Sequence, residues 1–357
     1  MKIAFFGSSL LSAYWNGAAT YYRGIIRALH ARGHRVTFYE PDAYDRQKHR
    51  DIEPPCWAEC VVYAPTEQSA LTEVERARSA DLLVKASGVG AFDALLEAAV
   101  LDLRSERTSV AFWDVDAPAT LERVFMNKAD PFRPLIPRYD LILTYGGGAR
   151  VVNAYRALGA RDCIPIYNAL DPETHHPVAA RPDYRSDLSF LGNRLPDREA
   201  RVEHFFLRSA DARRNLSFLL GGSGWHDKTL PSNVRAVGHV FTRDHNAFNC
   251  SSRLTLNISR DSMARFGFSP ATRVFEAAGA GACVITDFWD GIEDFFEPGR
   301  EILVAQNGEE VARILDEISP EKARAIGRRA LSRALGEHTY EHRADQFEKL
   351  FQETCIA

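Results

Sequence analysis

Short apolar runs alternate with segments of helical period from one end of the chain to the other. In the first half the runs are KIAFF (2–6), RVTFYE (35–40), CVVYA (60–64), DLLVKA (81–86), SVAFWDV (109–115) and LILTY (141–145). Helical segments near 18–32, 67–79, 91–103, 118–126 and 148–158 separate them. A second series follows, with LSFLG (188–192), LSFLLGG (216–222), VRAVGHV (234–240), LTLNIS (254–259), ACVITD (282–287) and EILVA (301–305), and ends in helical segments at 320–335 and 340–354. Strands alternating with helices predict parallel sheets joined by crossover helices.

Between the two series the stretch NALDPETHHPVAARPDYRSD (168–187) carries three prolines, mixed charge and no apolar period. Such a stretch reads as a connection. The expected organisation is a Rossmann-like domain over 1–170, a linker over 171–187, a second Rossmann-like domain over 188–338, and a terminal helix over 339–357 able to pack back on the first domain. A length of 357 residues suits two domains.

Composition narrows the function classes. An apolar share of 45% and a charged share of 26% are those of an ordinary globular protein. A formal charge of -4 gives no general reason to bind nucleic acid or an anionic membrane, so an anionic ligand must be held by local groups. The cysteines Cys56, Cys60, Cys163, Cys250, Cys283 and Cys355 are scattered and read as reduced thiols rather than a zinc site. MKIAFFGSS breaks at Gly7 and reads as a strand rather than a signal sequence, and no apolar stretch approaches the ~20 residues of a membrane span. The expectation is a cytoplasmic, soluble protein.

The loop after the first strand holds Gly7 and Gly17 but neither a dinucleotide fingerprint nor a P-loop. Asn16 and Gly17 can offer backbone amides to an oxyanion or an acceptor hydroxyl, or simply make a turn. Asp114 and Asp116 end the run SVAFWDV, on the edge where open α/β sheets bind ligands. One of them can act as general base toward an acceptor hydroxyl; alternatively Asp116, ahead of Ala117-Pro118, caps the next helix. Trp15, Trp113 and Trp225 lie near strand ends, where an aromatic plane stacks on a sugar or base or packs in the core. His175 and His176 fall in the predicted linker, which suggests solvated or hinge roles, whereas His239 closes a strand.

SPATRVFEAAGAGACVITD (269–287) holds a carboxylate, Glu276, in a small apolar helix leading into a strand. Ser269 and Pro270 predict the helix start and Gly281 its stop. Glu276 can accept two hydrogen bonds from vicinal ribose hydroxyls, while Arg273 and the free amides of the helix start suit a pyrophosphate. The alternative is an Arg273–Glu276 surface ion pair.

The run from 257 to 304, with G-F-S-P-A-T-R-V-F-E-A-A-G-A-G-A-C-V-I-T-D-F at its centre, resembles the C-terminal domain of GT-B glycosyltransferases, and most closely the CgeB-like (spore-maturation-type) group. GEHTYEHRADQFEKLF and FWDVDAP resemble that group's terminal helix and N-terminal aspartate segment. The resemblance implies two Rossmann-like domains with parallel sheets facing an interdomain cleft, the nucleotide-sugar donor on the C-terminal domain and the acceptor mainly on the N-terminal one. It implies that Glu276 holds the donor ribose, that Gly192, Asn193, Arg194, Arg273 and the backbone near Ser269 face the diphosphate, and that Gly221 and Gly222 allow close approach. It places His239 and Val240 near the base, and Asn257 and Ser259 on the same edge. Where retaining members of the superfamily carry a second glutamate, eight residues before Glu276, this chain has Phe268.

The expected activity is metal-independent transfer of a sugar from a nucleoside-diphosphate donor to a hydroxyl, with no cofactor beyond that donor and with a glycan, a protein or a small metabolite as acceptor. A sugar-nucleotide epimerase or hydrolase, or a non-catalytic sugar-nucleotide-binding protein, would use the same fold. An NAD-dependent dehydrogenase lacks its glycine fingerprint here.

Overall fold

The computed structural model describes residues 1–354, so Cys355 lies outside the described residues. The chain divides into two compact units: Met1–Tyr167 joined by the segment from Tyr340 onward, and Asn168–Thr339. The stretch 171–187, predicted as a linker, therefore belongs to the second unit.

The first unit is built on β1 (Lys2–Phe6), β2 (Arg35–Pro41), β3 (Glu59–Tyr63), β4 (Leu82–Ala86), β5 (Ser109–Asp114), β6 (Leu141–Thr144) and β7 (Cys163–Pro165). They pair in parallel in the order β3-β2-β1-β4-β5-β6-β7. The edge strand β7 escaped the sequence reading because it is three residues long and ends in a proline, which an edge tolerates. Phe5, Phe112 and Trp113 are fully buried, as strands covered by helices require. The helix Tyr340–Thr354 belongs to this unit: Phe347 stacks on Trp113 with centroids 5.7 Å apart, and Tyr340 packs where Gly24 leaves no side chain on the helix Ala19–Ala31.

The second unit carries β8 (Ser186–Leu191), β9 (Phe218–Gly221), β10 (Val234–Gly238), β11 (Ser252–Asn257), β12 (Val284–Asp287) and β13 (Leu303–Ala305), again parallel, in the order β10-β9-β8-β11-β12-β13. Its core joins Leu188, Phe190, Leu220, Leu254 and Ile285 from the sheet with Phe206 and Ile314 from the helices. Among the described cysteines all are free, and burial pushes the Cys163 and Cys283 thiols up to about 12, which keeps them protonated. No helix among the described residues is long and apolar enough to cross a membrane.

Candidate functional site

In each sheet the chain progresses outward in both directions from one pair of central strands, and the crevice beyond their carboxyl ends is where open α/β sheets bind ligands. That pair is β1 and β4 in the first unit, β8 and β11 in the second.

Beyond β8 and β11 two arginines share one aromatic ring. The guanidinium carbons of Arg198 and Arg273 lie 5.8 and 5.6 Å from the centroid of Phe190, the penultimate residue of β8. Arg273 reaches back from the helix Thr272–Gly279 to the end of β11, its Nη1 donating to Ile258 O at 3.2 Å. Arg198, on the helix Pro196–Val202, is 5% exposed; Nη2 donates to Asn193 O at 2.5 Å and the buried Nε has no partner among the described residues. Burial lowers its pKa, and the nearby charges of Arg273 and Arg260 lower it further. Arg260 itself is paired with Asp197 at 2.5 Å. Two crowded guanidinium groups with a buried unused N–H form a site short of an anion. The sequence does not mark Arg198, since neither arginine of PDREARV stands in a recognisable motif.

Arg194 differs from expectation. Its guanidinium is divided between Glu199 and Asp227, both at 2.7 Å, and these carboxylates raise its pKa. Its charge is already paired with carboxylates at the surface, which counts against the diphosphate role. Asn193 Oδ1 accepts from Ser223 N at 2.9 Å and shapes the same turn. Gly222 has φ +120°, and a Cβ there would collide with the carbonyl of Gly192, so the glycine serves the approach of two loops. Trp225 is 3% exposed and donates from Nε1 to Gly192 O at 2.8 Å, the core alternative of the sequence reading. Val240 is buried against Leu219 and Phe248, while His239 is half-buried and meets Phe241 edge to face.

Ser269 does not cap the helix that follows. The helix begins at Thr272 with Ala271 as its N-cap, and Ser269 Oγ donates to Gly267 O at 2.9 Å. Asn168 holds the turn instead, donating to Pro270 O at 2.9 Å and accepting from Thr272 Oγ1 at 3.1 Å. Glu276 is 7% exposed, so it is not a surface ion-pair partner. Two imidazoles face it: His175 Nε2 stands 3.9 Å from Oε1 and His245 Nδ1 3.9 Å from Oε2. His175 is only 3% exposed, which corrects the solvated or hinge role read from its sequence position, and burial lowers its pKa.

In the first unit Asp114 accepts from Ser87 Oγ at 2.7 Å, Thr120 Oγ1 at 3.0 Å and Asp116 N at 3.0 Å through Oδ1, and from the Tyr155 hydroxyl through Oδ2. Complete burial raises its pKa despite these bonds. Asp114 is thus an anchor. Asp116 is half-buried at the start of the helix Ala117–Met126 and its side chain makes no capping bond there. Asn16 is buried, with its amide donating to Ser9 O and Ser12 O and its oxygen accepting from Ser8 Oγ, while its backbone N–H closes a turn onto Ala13 O. Gly17 is exposed in that turn, so the turn reading describes both residues. Trp113 is buried and donates to the Tyr21 hydroxyl, whereas Trp15 is 45% exposed.

Residues 198–349 match a family described as glycosyl transferase-like. Comparison with curated proteins gives no match. Among solved structures the chain resembles sucrose-phosphate synthase from Thermosynechococcus elongatus, with a TM-score of 0.74, 15% identity, and coverage of 100% of this chain and 99% of that one. It resembles Anabaena HepE in complex with UDP and glucose, with a TM-score of 0.68, 15% identity, and coverage of 99% and 100%. T4 phage BGT in complex with its UDP-glucose substrate gives a TM-score of 0.62 at 12% identity, covering 98% of this chain and 99% of that one. At such identities the likeness is one of fold. The chain has the GT-B fold, two parallel-sheet α/β units, and over residues 198–349 it carries the glycosyl transferase-like sequence pattern.

Proposed function

We propose that the protein is a glycosyltransferase of the CgeB-like group that moves a sugar from a nucleoside-diphosphate donor to a hydroxyl. The observation that carries this reading is the Arg198–Arg273 pair beyond β8 and β11, where a buried guanidinium N–H has no partner among the described residues. A diphosphate supplies the missing acceptors and neutralises the charge that accumulates as it departs, which is the electrostatic part of catalysis. Glu276, on the same helix as Arg273, accepts the ribose hydroxyls. His239 and Val240 flank the base. Asp116 takes the proton of the attacking acceptor hydroxyl. No magnesium or manganese on the diphosphate is needed in this scheme, because the two arginines do that work.

Phe268 occupies the position at which related retaining enzymes place a carboxylate, and it does so with φ +45°. Its aromatic ring packs over Gly291, so the donor sugar meets an apolar wall there rather than a hydrogen-bonding group.

Calorimetric titration with UDP, GDP, dTDP, ADP and NAD, with the parent nucleosides as controls, tests the proposal. One nucleoside diphosphate binds without added divalent cation, its nucleoside binds at least tenfold more weakly, and Glu276→Ala removes detectable donor binding. Equal affinity for nucleoside and diphosphate, or stabilisation by NAD alone, overturns it. Sugar release at a rate indifferent to any acceptor would replace transfer by hydrolysis.

A further inference from the structure

The environment of Glu276 contains more than a ribose site requires. Its two facing histidines come from different segments. His175 lies in the irregular stretch after Asn168, and His245 on the helix Thr242–Ser251. Asn246, next to His245, donates to Thr174 O at 2.9 Å and accepts from His176 N at 3.3 Å, so both peptides flanking His175 are clamped to the helix bearing the second histidine. The two rings lie 6.0 Å apart at an interplanar angle of 23°.

The proton positions make this arrangement unusual. His245 Nε2 stands 3.3 Å from Val240 O, and a carbonyl can only accept, so Nε2 carries the hydrogen. In the neutral ring Nδ1 then presents a lone pair, and 3.9 Å away is the carboxylate oxygen of Glu276, also an acceptor. His175 Nε2 is likewise buried without a hydrogen-bond partner and 3.9 Å from the other oxygen. Two unpartnered imidazole nitrogens and a carboxylate thus converge on one point, where a cation can meet all three. A ring proton serves one nitrogen, while a metal ion serves all three groups.

We infer that His175, His245 and Glu276 form a binding site for a divalent transition metal, with zinc the best fit. One ligand atom from each lies within 4.8 Å of the others. Donors on a common tetrahedral zinc are about 3.4 Å apart, so side-chain rotations on the order of 1 Å close the site. Two imidazoles and a carboxylate are a zinc donor set, and the His245 Nε2–H bond to a backbone carbonyl is the outer contact that orients a metal-bound histidine. The ion would brace the 171–187 stretch against two helices. This assignment does not rest on the donor reading and is separate from the diphosphate, which Arg198 and Arg273 hold. Each carboxylate oxygen has two lone pairs, so a metal-bound Glu276 still accepts the ribose hydroxyls.

The test titrates full-length protein, stripped by chelator and dialysed, with zinc chloride and with cobalt chloride, followed by calorimetry and visible absorption. One equivalent of zinc binds, cobalt gives the intense absorption of a tetrahedral site, and the unfolding temperature rises with metal concentration. His175→Gln and His245→Gln each weaken binding tenfold or more, and His239→Gln leaves it unchanged. Should a variant misfold, the cobalt spectrum of the unmodified protein decides by itself: a six-coordinate spectrum or no binding at equimolar metal overturns the inference. Parallel titration of metal-free and zinc-loaded protein with UDP separates the readings, because zinc binding without nucleotide binding leaves this site standing and removes the donor proposal, and the reverse removes this site alone.

Discussion

The crevices at the two central strand pairs share a topology and differ in chemistry. Beyond β1 and β4 the loops bind each other: Arg46 Nη1 donates to Ser8 O and to Val89 O, one carbonyl from each loop, and Asp93 accepts from the backbone of Val89 and Gly90 and from the buried Lys85. Glu40 accepts from Ser9 Oγ and Leu10 N and so fixes the first loop. Beyond β8 and β11 the buried Arg198 Nε has no partner among the described residues, and neither have His175 Nε2 and His245 Nδ1, each 3.9 Å from Glu276. Position in a fold marks both crevices equally. Unmatched polar atoms occur in both units, the buried Arg46 Nε among them, but only beyond β8 and β11 does an unmatched guanidinium N–H stand beside a second guanidinium, and leaving such groups buried costs free energy that a ligand recovers.

The two carboxylates of the first unit test this contrast most strongly. Asp116→Asn is expected to lower kcat by about 10²- to 10⁴-fold, the usual worth of a positioned general base, with donor affinity unchanged. A parallel loss of donor affinity in calorimetry would mean that Asp116 holds structure rather than moving a proton. Asp114→Ala does the opposite: it strands the hydroxyls of Ser87, Thr120 and Tyr155 in a buried place and destabilises the protein by about 3 kcal/mol or more, read by urea unfolding. An unchanged midpoint would show that the network relaxes.

The arginine pair gives the next largest effect. Arg198→Met removes a crowded buried charge along with one bond to Asn193, so the ligand-free protein should unfold at nearly the same temperature. Donor affinity should nevertheless fall about 10- to 100-fold, the worth of a charged hydrogen bond to phosphate. Destabilisation without loss of affinity would make Arg198 a structural residue.

How far this contrast was legible beforehand depends on what each residue's role requires. The alternation of apolar strands and helical segments located twelve of the thirteen strands, since burial on both faces imposes a pattern on every residue of such a strand. Glu276 stood out because a carboxylate in a run of small apolar residues is anomalous on its own. Its two histidines did not, because His175 and His245 are 70 positions apart and meet only through tertiary packing. Ser269 followed by Pro270 reads as a helix start, but the chain stays extended through Ala271 and Asn168, from a distant segment, supplies the bonds. Local patterns report local structure; the partners that decide whether a polar group is free for a ligand lie elsewhere in the chain.

Arg194 is the case where that distinction has a measurable consequence of the smallest size. The resemblance assigns it to the diphosphate, and its position after β8 is right for that role. Its hydrogen bonds to Glu199 and Asp227 already occupy the guanidinium, and Glu199 is shared with Lys228 at 3.0 Å, which also meets Glu203, so five charges of alternating sign form a chain at a surface. Arg194→Ala should therefore leave donor affinity within about twofold and barely move the unfolding midpoint, as for other solvent-exposed ion pairs. Calorimetry beside Arg198→Met makes the comparison direct. A tenfold loss of affinity for Arg194→Ala would mean that the carboxylates release the guanidinium when the donor arrives, and that the anion site is broader than the Arg198–Arg273 pair.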